Sequence, residues 1–122
     1  MNSNRRRTLF EYYCGQTAFQ RMVVNKMGYN EEVDPEQLPL DVPNLSSYHL
    51  LSLLEELGEL VKSDKRWKNY RNTHYDKNNK LEELADCFIV LMNVAIFSGI
   101  SPDEFENAIF DKMVENAKRV KG

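Results

Sequence analysis

Residues 50–61 read Leu50-Leu51-Ser52-Leu53-Leu54-Glu55-Glu56-Leu57-Gly58-Glu59-Leu60-Val61. The apolar residues recur at helical spacing and make one wide face. Glu56 and Glu59 stand three residues apart, so both carboxylates fall on one side of that helix. A second pair at the same spacing, Glu83-Leu84-Ala85-Asp86, lies in another helical stretch. If the two helices pack together, four carboxylates converge on one spot. Like charges at that density repel unless cations fill the spot, and hard divalent ions such as Mg²⁺ take all-oxygen ligands. The pattern points to a metal-dependent site that acts on phosphates.

Working outward, Ser46 or Ser47 is the expected N-cap of this second helix. Gly58 inside it costs about 1 kcal/mol relative to alanine, which suggests close helix approach or room for a ligand. Upstream, a first helix is expected from Thr8 to Met27, with Leu9, Tyr12, Tyr13, Phe19, Met22, Val23 and Met27 apolar and Gly28 as its C′ residue. Pro35, Pro39 and Pro43 make residues 31–44 a loop. Residues 63–80 are polar, basic and aromatic. A third helix, from about Lys80 to Ser98, is the most apolar: between Leu84 and Phe97 only Asp86 and Asn93 are clearly polar. The fourth opens with Ser101 as N-cap, Pro102 at N1 and Glu104 completing a capping box. It runs to about Val120, with Phe105, Ile109, Met113 and Val120 on its apolar side.

With no strand alternation and no internal repeat, the chain reads as an all-α, four-helix-bundle-like fold. Residues 1–122 are expected to form a single domain, with residues 1–7 a disordered N-terminus. Helices this apolar leave surface that one chain cannot cover, so a homodimer or homotetramer is expected.

The 122 residues carry a formal net charge of −3, which argues against a dedicated nucleic-acid binder. Small polyphosphates stay open, because metal ions can carry the positive charge. Cys14 and Cys87 fit neither a disulfide framework nor a zinc site, and Cys87 reads as a small core residue. No apolar segment follows Arg5-Arg6-Arg7 as a secretory signal would require, and no stretch is long enough to span a bilayer. A cytoplasmic protein is the expectation.

A lone Glu-x-x-Glu on a helix is most often a solvated face. Asp86 is harder to dismiss, since it interrupts an apolar run between Ala85 and Cys87. A carboxylate buried there needs a metal or a cationic partner. Glu83, Asp86, Val90 and Asn93 share one helical stripe. Other metal chemistries fall away: neither His49 nor His74 stands three residues after a glutamate, as a di-iron bundle needs, and the EF-hand loop is absent.

The string 54–60 (LEELGEL) followed by Glu83-Leu84-Ala85-Asp86 resembles the ExxE…ExxD signature of the all-α nucleoside triphosphate pyrophosphohydrolases, the MazG-like and dimeric dUTPase-like superfamily. Pro43-Asn44-Leu45 is similar to the lead-in of several members, and Lys112-x-x-x-Asn116-x-x-Arg119 to a downstream MazG-like pattern. The resemblance spans residues 44–119. It implies a MazG-type helical bundle that forms homo-oligomers and binds Mg²⁺, with Mn²⁺ as a substitute. The metal ligands it implies are Glu56, Glu59, Glu83 and Asp86. The implied reaction splits a nucleoside triphosphate into monophosphate and pyrophosphate. Glu59 or its neighbour Glu55 is the implied general base. The dimeric dUTPase pattern carries additional motifs and a longer chain than this sequence shows, so a small MazG-like enzyme fits better than a strictly dUTP-specific one.

Further substrate contacts are expected from Asn93, Lys112 and Asn116, each weighed against a structural or solvated role. Trp67 and Lys68 are candidates for stacking on a base and holding phosphate, against a connector whose Trp67 tucks into the core. Gln16 and Gln20 can read a base edge, but nothing in the sequence singles them out. The alternative of a different class is a catalytically inactive helical module that binds nucleotide or a protein partner.

Overall fold

Capping side chains decide where the helices begin. The computed structural model describes residues 6–27, 43–68 and 75–122. Its elements are α1 (Leu9–Met27), α2 (Pro43–Ser63), one turn of 3-10 helix (Lys65–Trp67), α3 (Lys77–Phe97) and α4 (Pro102–Lys121). The Thr8 hydroxyl accepts from the Glu11 amide at 3.1 Å ahead of α1. The Asp76 carboxylate accepts from the Asn78 and Asn79 amides at 3.0 and 3.2 Å. At α4 the expected capping box is formed: the Glu104 amide donates to Ser101 Oγ at 3.2 Å, and the Ser101 amide to Glu104 Oε1 at 3.0 Å. Gly99, at φ 76°, breaks α3 from α4 in the left-handed region that favours glycine.

Two boundaries differ from the sequence reading. Helix α2 opens at Pro43 rather than at the serines, because a proline in the first turn forfeits only an amide that has no helical partner. Ser46 bonds across the bundle instead, its Oγ 2.8 Å from Ser98 Oγ. Helix α3 opens three residues before Lys80, where Asp76 supplies the cap. Gly28, residues 31–42 and residues 1–5 lie outside the described residues. Arg6 and Arg7 are exposed ahead of α1.

The core gathers at one end of the bundle. Tyr13 and Val24 of α1 meet Met92, Ala95, Ile96 and Phe97 of α3, with Leu45, Ile100 and Phe105 against them. The buried face of α1 is Tyr13, Thr17, Gln20 and Val24, at helical spacing. This corrects the expected apolar face, since Tyr12, Phe19 and Met22 are exposed. Thr17 tolerates burial because its hydroxyl donates to the Tyr13 carbonyl at 2.8 Å. Helix α4 packs on α1, where Phe105 lies 5.4 Å from the Tyr13 ring. Its far half is bare, with Met113 66% and Val120 89% exposed.

Helices α2 and α3 form the most extensive pair. One antiparallel register runs along their seam: Ser46 faces Ser98, His49 faces Asn93, Glu56 faces Glu83 and Asp86, and Asp64 faces Lys80. Burial on α3 is confined largely to its C-terminal half; Leu81, Leu84, Phe88, Ile89 and Leu91 are exposed. Helix α2 likewise shows Leu50, Leu51, Leu54, Leu57 and Val61 to solvent. Among the described residues, no helix is long and apolar enough to cross a membrane.

The Tyr13 hydroxyl ties α1 to the α3–α4 turn by donating to the Ile100 carbonyl at 2.6 Å. Burial, then the nearby Glu104 charge, pushes its pKa up from 10.0 to about 12. The folded state therefore keeps a proton that the unfolded chain loses first, and stability falls as pH rises from 10.0 towards about 12. Tyr13→Phe should cost about 1 kcal/mol near neutral pH and remove that alkaline fall, as read by urea titrations across the pH range.

Candidate functional site

Glu56 of α2 and Glu83 and Asp86 of α3 each bring a carboxylate oxygen to within 4.8 Å of the other two. The i, i+3 spacing puts Glu83 and Asp86 on one face of α3, and the antiparallel register carries that face to Glu56. Glu59 stands outside the trio: it is exposed and lies 3.9 Å from Lys62 Nζ, one turn further on. Its charge still reaches the cluster. Partial desolvation raises the Glu83 pKa, and Asp86, Glu59, Glu56 and Glu82, in that order, raise it further. All the charges that act on Glu83 in this way are acidic. An all-oxygen donor set under mutual repulsion suits a hard divalent cation.

Asp86 is exposed rather than buried. The expectation that it sits inside an apolar core fails because the buried side chains of α3 lie mostly in its C-terminal half, and Asp86's neighbours Leu84 and Phe88 are exposed as well. Its link to the site comes from position, not from burial. Gly58 also departs from one expectation: a Cβ there would meet nothing within 4 Å, so none of the described helices approaches it closely. Glycine instead borders an outer cleft of about 570 Å³ lined by Leu54, Glu55, Glu56, Glu59 and Lys62. Glu55 is thus beside the cluster, on the exposed side of α2.

Asn93 lies seven residues after Asp86, on the same α3 stripe, and is 4% exposed. Its amide oxygen accepts from Gln16 Nε2 at 2.9 Å, and its amide nitrogen lies 3.5 Å from His49 Nδ1. Three helices therefore meet at one buried polar node. The His49 ring stacks on Phe97 at 5.1 Å, and burial lowers its pKa. Sequence reasoning missed His49, though its position seven residues before Glu56 is a usable signal. Beside this node, Phe19, Gln20, Val23, Leu45, Tyr48 and Phe97 line a mostly apolar cleft of about 290 Å³.

The remaining sequence candidates are dispersed. Lys112 and Arg119 are exposed on α4, and both pair with Glu115, at 3.4 and 2.7 Å. Asn116 is exposed on the same helix. The extensive packing of α4 is on α1, whereas the acidic trio lies on α2 and α3. Trp67 is 63% exposed, which corrects the reading that tucks it into the core. Lys68 Nζ sits 5.0 Å from its ring centre. With Leu60, Val61, Asp64, Lys80 and Leu84, Trp67 lines a cleft of about 380 Å³ at the far end of the seam.

Fold and site together define an all-α bundle with paired acidic motifs facing across two antiparallel helices. The profile of the dUTPase family matches residues 11–121, and the chain belongs to that family, among hydrolases that act on nucleoside triphosphates. Of the two branches that the motifs resemble, the match is to the dUTPase-like one, which motif content and chain length rank second. Searches of curated proteins and of solved structures gave no match.

If repulsion dominates the cluster, Glu83→Gln should stabilise the metal-free protein against urea. The gain should shrink in about 1 M salt, where the Debye length is about 3 Å. A loss of stability at both salt levels would show that Glu83 is held by favourable contacts instead.

Proposed function

We propose that this protein is a Mg²⁺-dependent nucleoside triphosphate pyrophosphohydrolase of the nucleotide pool, converting a (deoxy)nucleoside triphosphate to the monophosphate and pyrophosphate. The observation that carries this reading is the convergence of Glu56, Glu83 and Asp86 from two helices in a chain that belongs to the dUTPase family. These three residues, joined by Glu59, would hold the metal, with Mn²⁺ able to replace Mg²⁺. A divalent ion there supplies charge neutralisation at the phosphoryl oxygens and a template for in-line attack. Glu55 or Glu59, both on the exposed side of the cluster, would accept the proton of the attacking water.

The apolar cleft beside His49 supports a place for the base. It lies about 10 Å from Glu56 along α2, two helical turns, a separation suited to a nucleotide with its base at one end and its phosphates at the other. Burial keeps His49 neutral near pH 7, so its ring stands as a flat, uncharged wall stacked on Phe97. Asn93 then acts from behind that wall through His49 and Gln16. Lys112 and Asn116 would contact phosphate only where a second copy brings α4 to the site. Trp67 and Lys68 are close enough to the seam to fold over bound substrate. The family match puts dUTP first among substrates to try.

Incubation with Mg²⁺ and a panel of triphosphates, dUTP included, should yield monophosphate and pyrophosphate by chromatography. Glu59→Ala with Asp86→Ala should reduce turnover at least 100-fold. Pyrophosphate release that survives this double change would remove the cluster from the reaction. No turnover with any substrate would return the protein to a binding role.

The bare apolar faces of α2 and α3, with Leu50, Leu54, Phe88 and Leu91 exposed, support a homodimer or homotetramer. Light scattering should give a mass of at least twice the 14.3 kDa chain. A monomer at micromolar concentration would refute the assembly.

A further inference from the structure

The far end of the α2–α3 seam carries a compact ionic clip. Asp64, the residue after α2, has a side chain only 12% exposed. Its carboxylate receives Arg66 Nε at 2.8 Å and Nη2 at 2.7 Å, a two-pronged contact, and Lys80 Nζ at 3.1 Å. It also accepts from the Arg66 amide at 3.2 Å, which caps the 3-10 turn. The Arg66 guanidinium lies 3.5 Å over the Tyr75 ring, and Lys80 Nζ 5.7 Å from it. One carboxylate thus joins the end of α2, the following turn and the first turns of α3.

The clip lies close to the acidic cluster. Lys80 is three residues before Glu83 and six before Asp86, about one and two turns along α3. Asp64 is eight residues after Glu56, about 12 Å by helical rise. The cluster's own charges push α2 and α3 apart, and the clip draws the same two helices together. We propose that Asp64 is a positioning residue that, through Lys80 and Arg66, holds the register bringing Glu56 opposite Glu83 and Asp86, so that the divalent-cation site is formed before the ion arrives.

This inference rests on the metal site proposed above. Removing partners that orient metal ligands typically weakens metal binding 10–100-fold, and the clip acts on the ligands through the helices that carry them. The test is Mn²⁺ binding to the full chain without nucleotide, read from the free-ion electron paramagnetic resonance signal. Asp64→Asn, close in shape but uncharged, should weaken Mn²⁺ binding about tenfold while helix content stays unchanged. Lys80→Met, which breaks only the Asp64–Lys80 contact, should weaken it less, and the double variant should be little worse than Asp64→Asn alone, because that change already removes the Lys80 contact.

Tyr13→Phe, which loosens the opposite end of the bundle, is the control for general destabilisation and should leave Mn²⁺ affinity unaltered. Failure of the wild-type chain to bind Mn²⁺ would refute the metal site itself. Wild-type binding with equal affinity in Asp64→Asn and Lys80→Met would overturn the clip alone. An equal loss in Tyr13→Phe would also overturn it, by showing that the effect follows stability. If Asp64→Asn does not fold, the comparison of Lys80→Met with Tyr13→Phe still decides the question.

Discussion

The antiparallel register between α2 and α3 is the constraint on which the site depends. Apolar helix faces tolerate sliding, because one leucine packs nearly as well as the next. Polar pairs do not, since each has one partner at one distance. The pairs at the two ends of the seam, Ser46 with Ser98 and Asp64 with Lys80, are attractive. Between them lies a stretch where like charges face each other. A slip of one helical turn, about 5.4 Å, would separate the carboxylates and relieve their repulsion. It would also break both end pairs and take His49 away from the buried Asn93 amide. The acidic cluster is therefore held together by contacts outside itself.

Packing and chemistry occupy different parts of the molecule. The buried side chains cluster around the C-terminal half of α3 with α1, whereas Glu83 and Asp86 stand on its other half, facing Glu56 of α2. The node of Gln16, Asn93 and His49 lies at the boundary. A buried polar group needs a partner of defined geometry. The node thus fixes the rotation of three helices about one another, which side-chain volume alone specifies less sharply. The first turns of α3 are anchored by Asp76 and the Asp64 clip rather than by a core. Their order depends on electrostatics more than on burial.

Much of this arrangement is written in the order of residues, and the remainder is not, for a consistent reason. The four helices, the capping box at Ser101 and the acidic pairs follow from spacing within one helix, which a sequence displays directly. The Asp76 cap, the burial of Thr17 and Gln20 in preference to Phe19 and Met22, and the exposure of Asp86 depend on which neighbour each helix meets. Amphipathic periodicity ranks faces by composition. It favours Phe19 over Gln20 although α1 turns Gln20 inward, because Tyr13 and Val24 share that stripe. The Asp64 clip joins residues that are 16 apart, and no pattern within either helix announces it.

Charge balance limits how such a site works under the proposed reading. Glu56, Glu59, Glu83 and Asp86 present four like charges to a triphosphate of the same sign, on a chain that is itself net negative. A single divalent ion leaves that quartet negative, so attraction to phosphate needs further positive charge. Several cations among the described residues are already engaged: Lys62 with Glu59, Lys80 and Arg66 with Asp64, and, on α4, Lys112 and Arg119 with Glu115. An exposed ion pair holds its cation weakly, so Lys62 is free to exchange Glu59 for phosphate at small cost. Lys80 and Arg66 are not: they share one shielded carboxylate, whose pKa is held well below the usual range mainly by the hydrogen bond from Arg66. Substrate charge therefore has to be met by divalent ions and by the loosely held surface cations, while the clip stays closed.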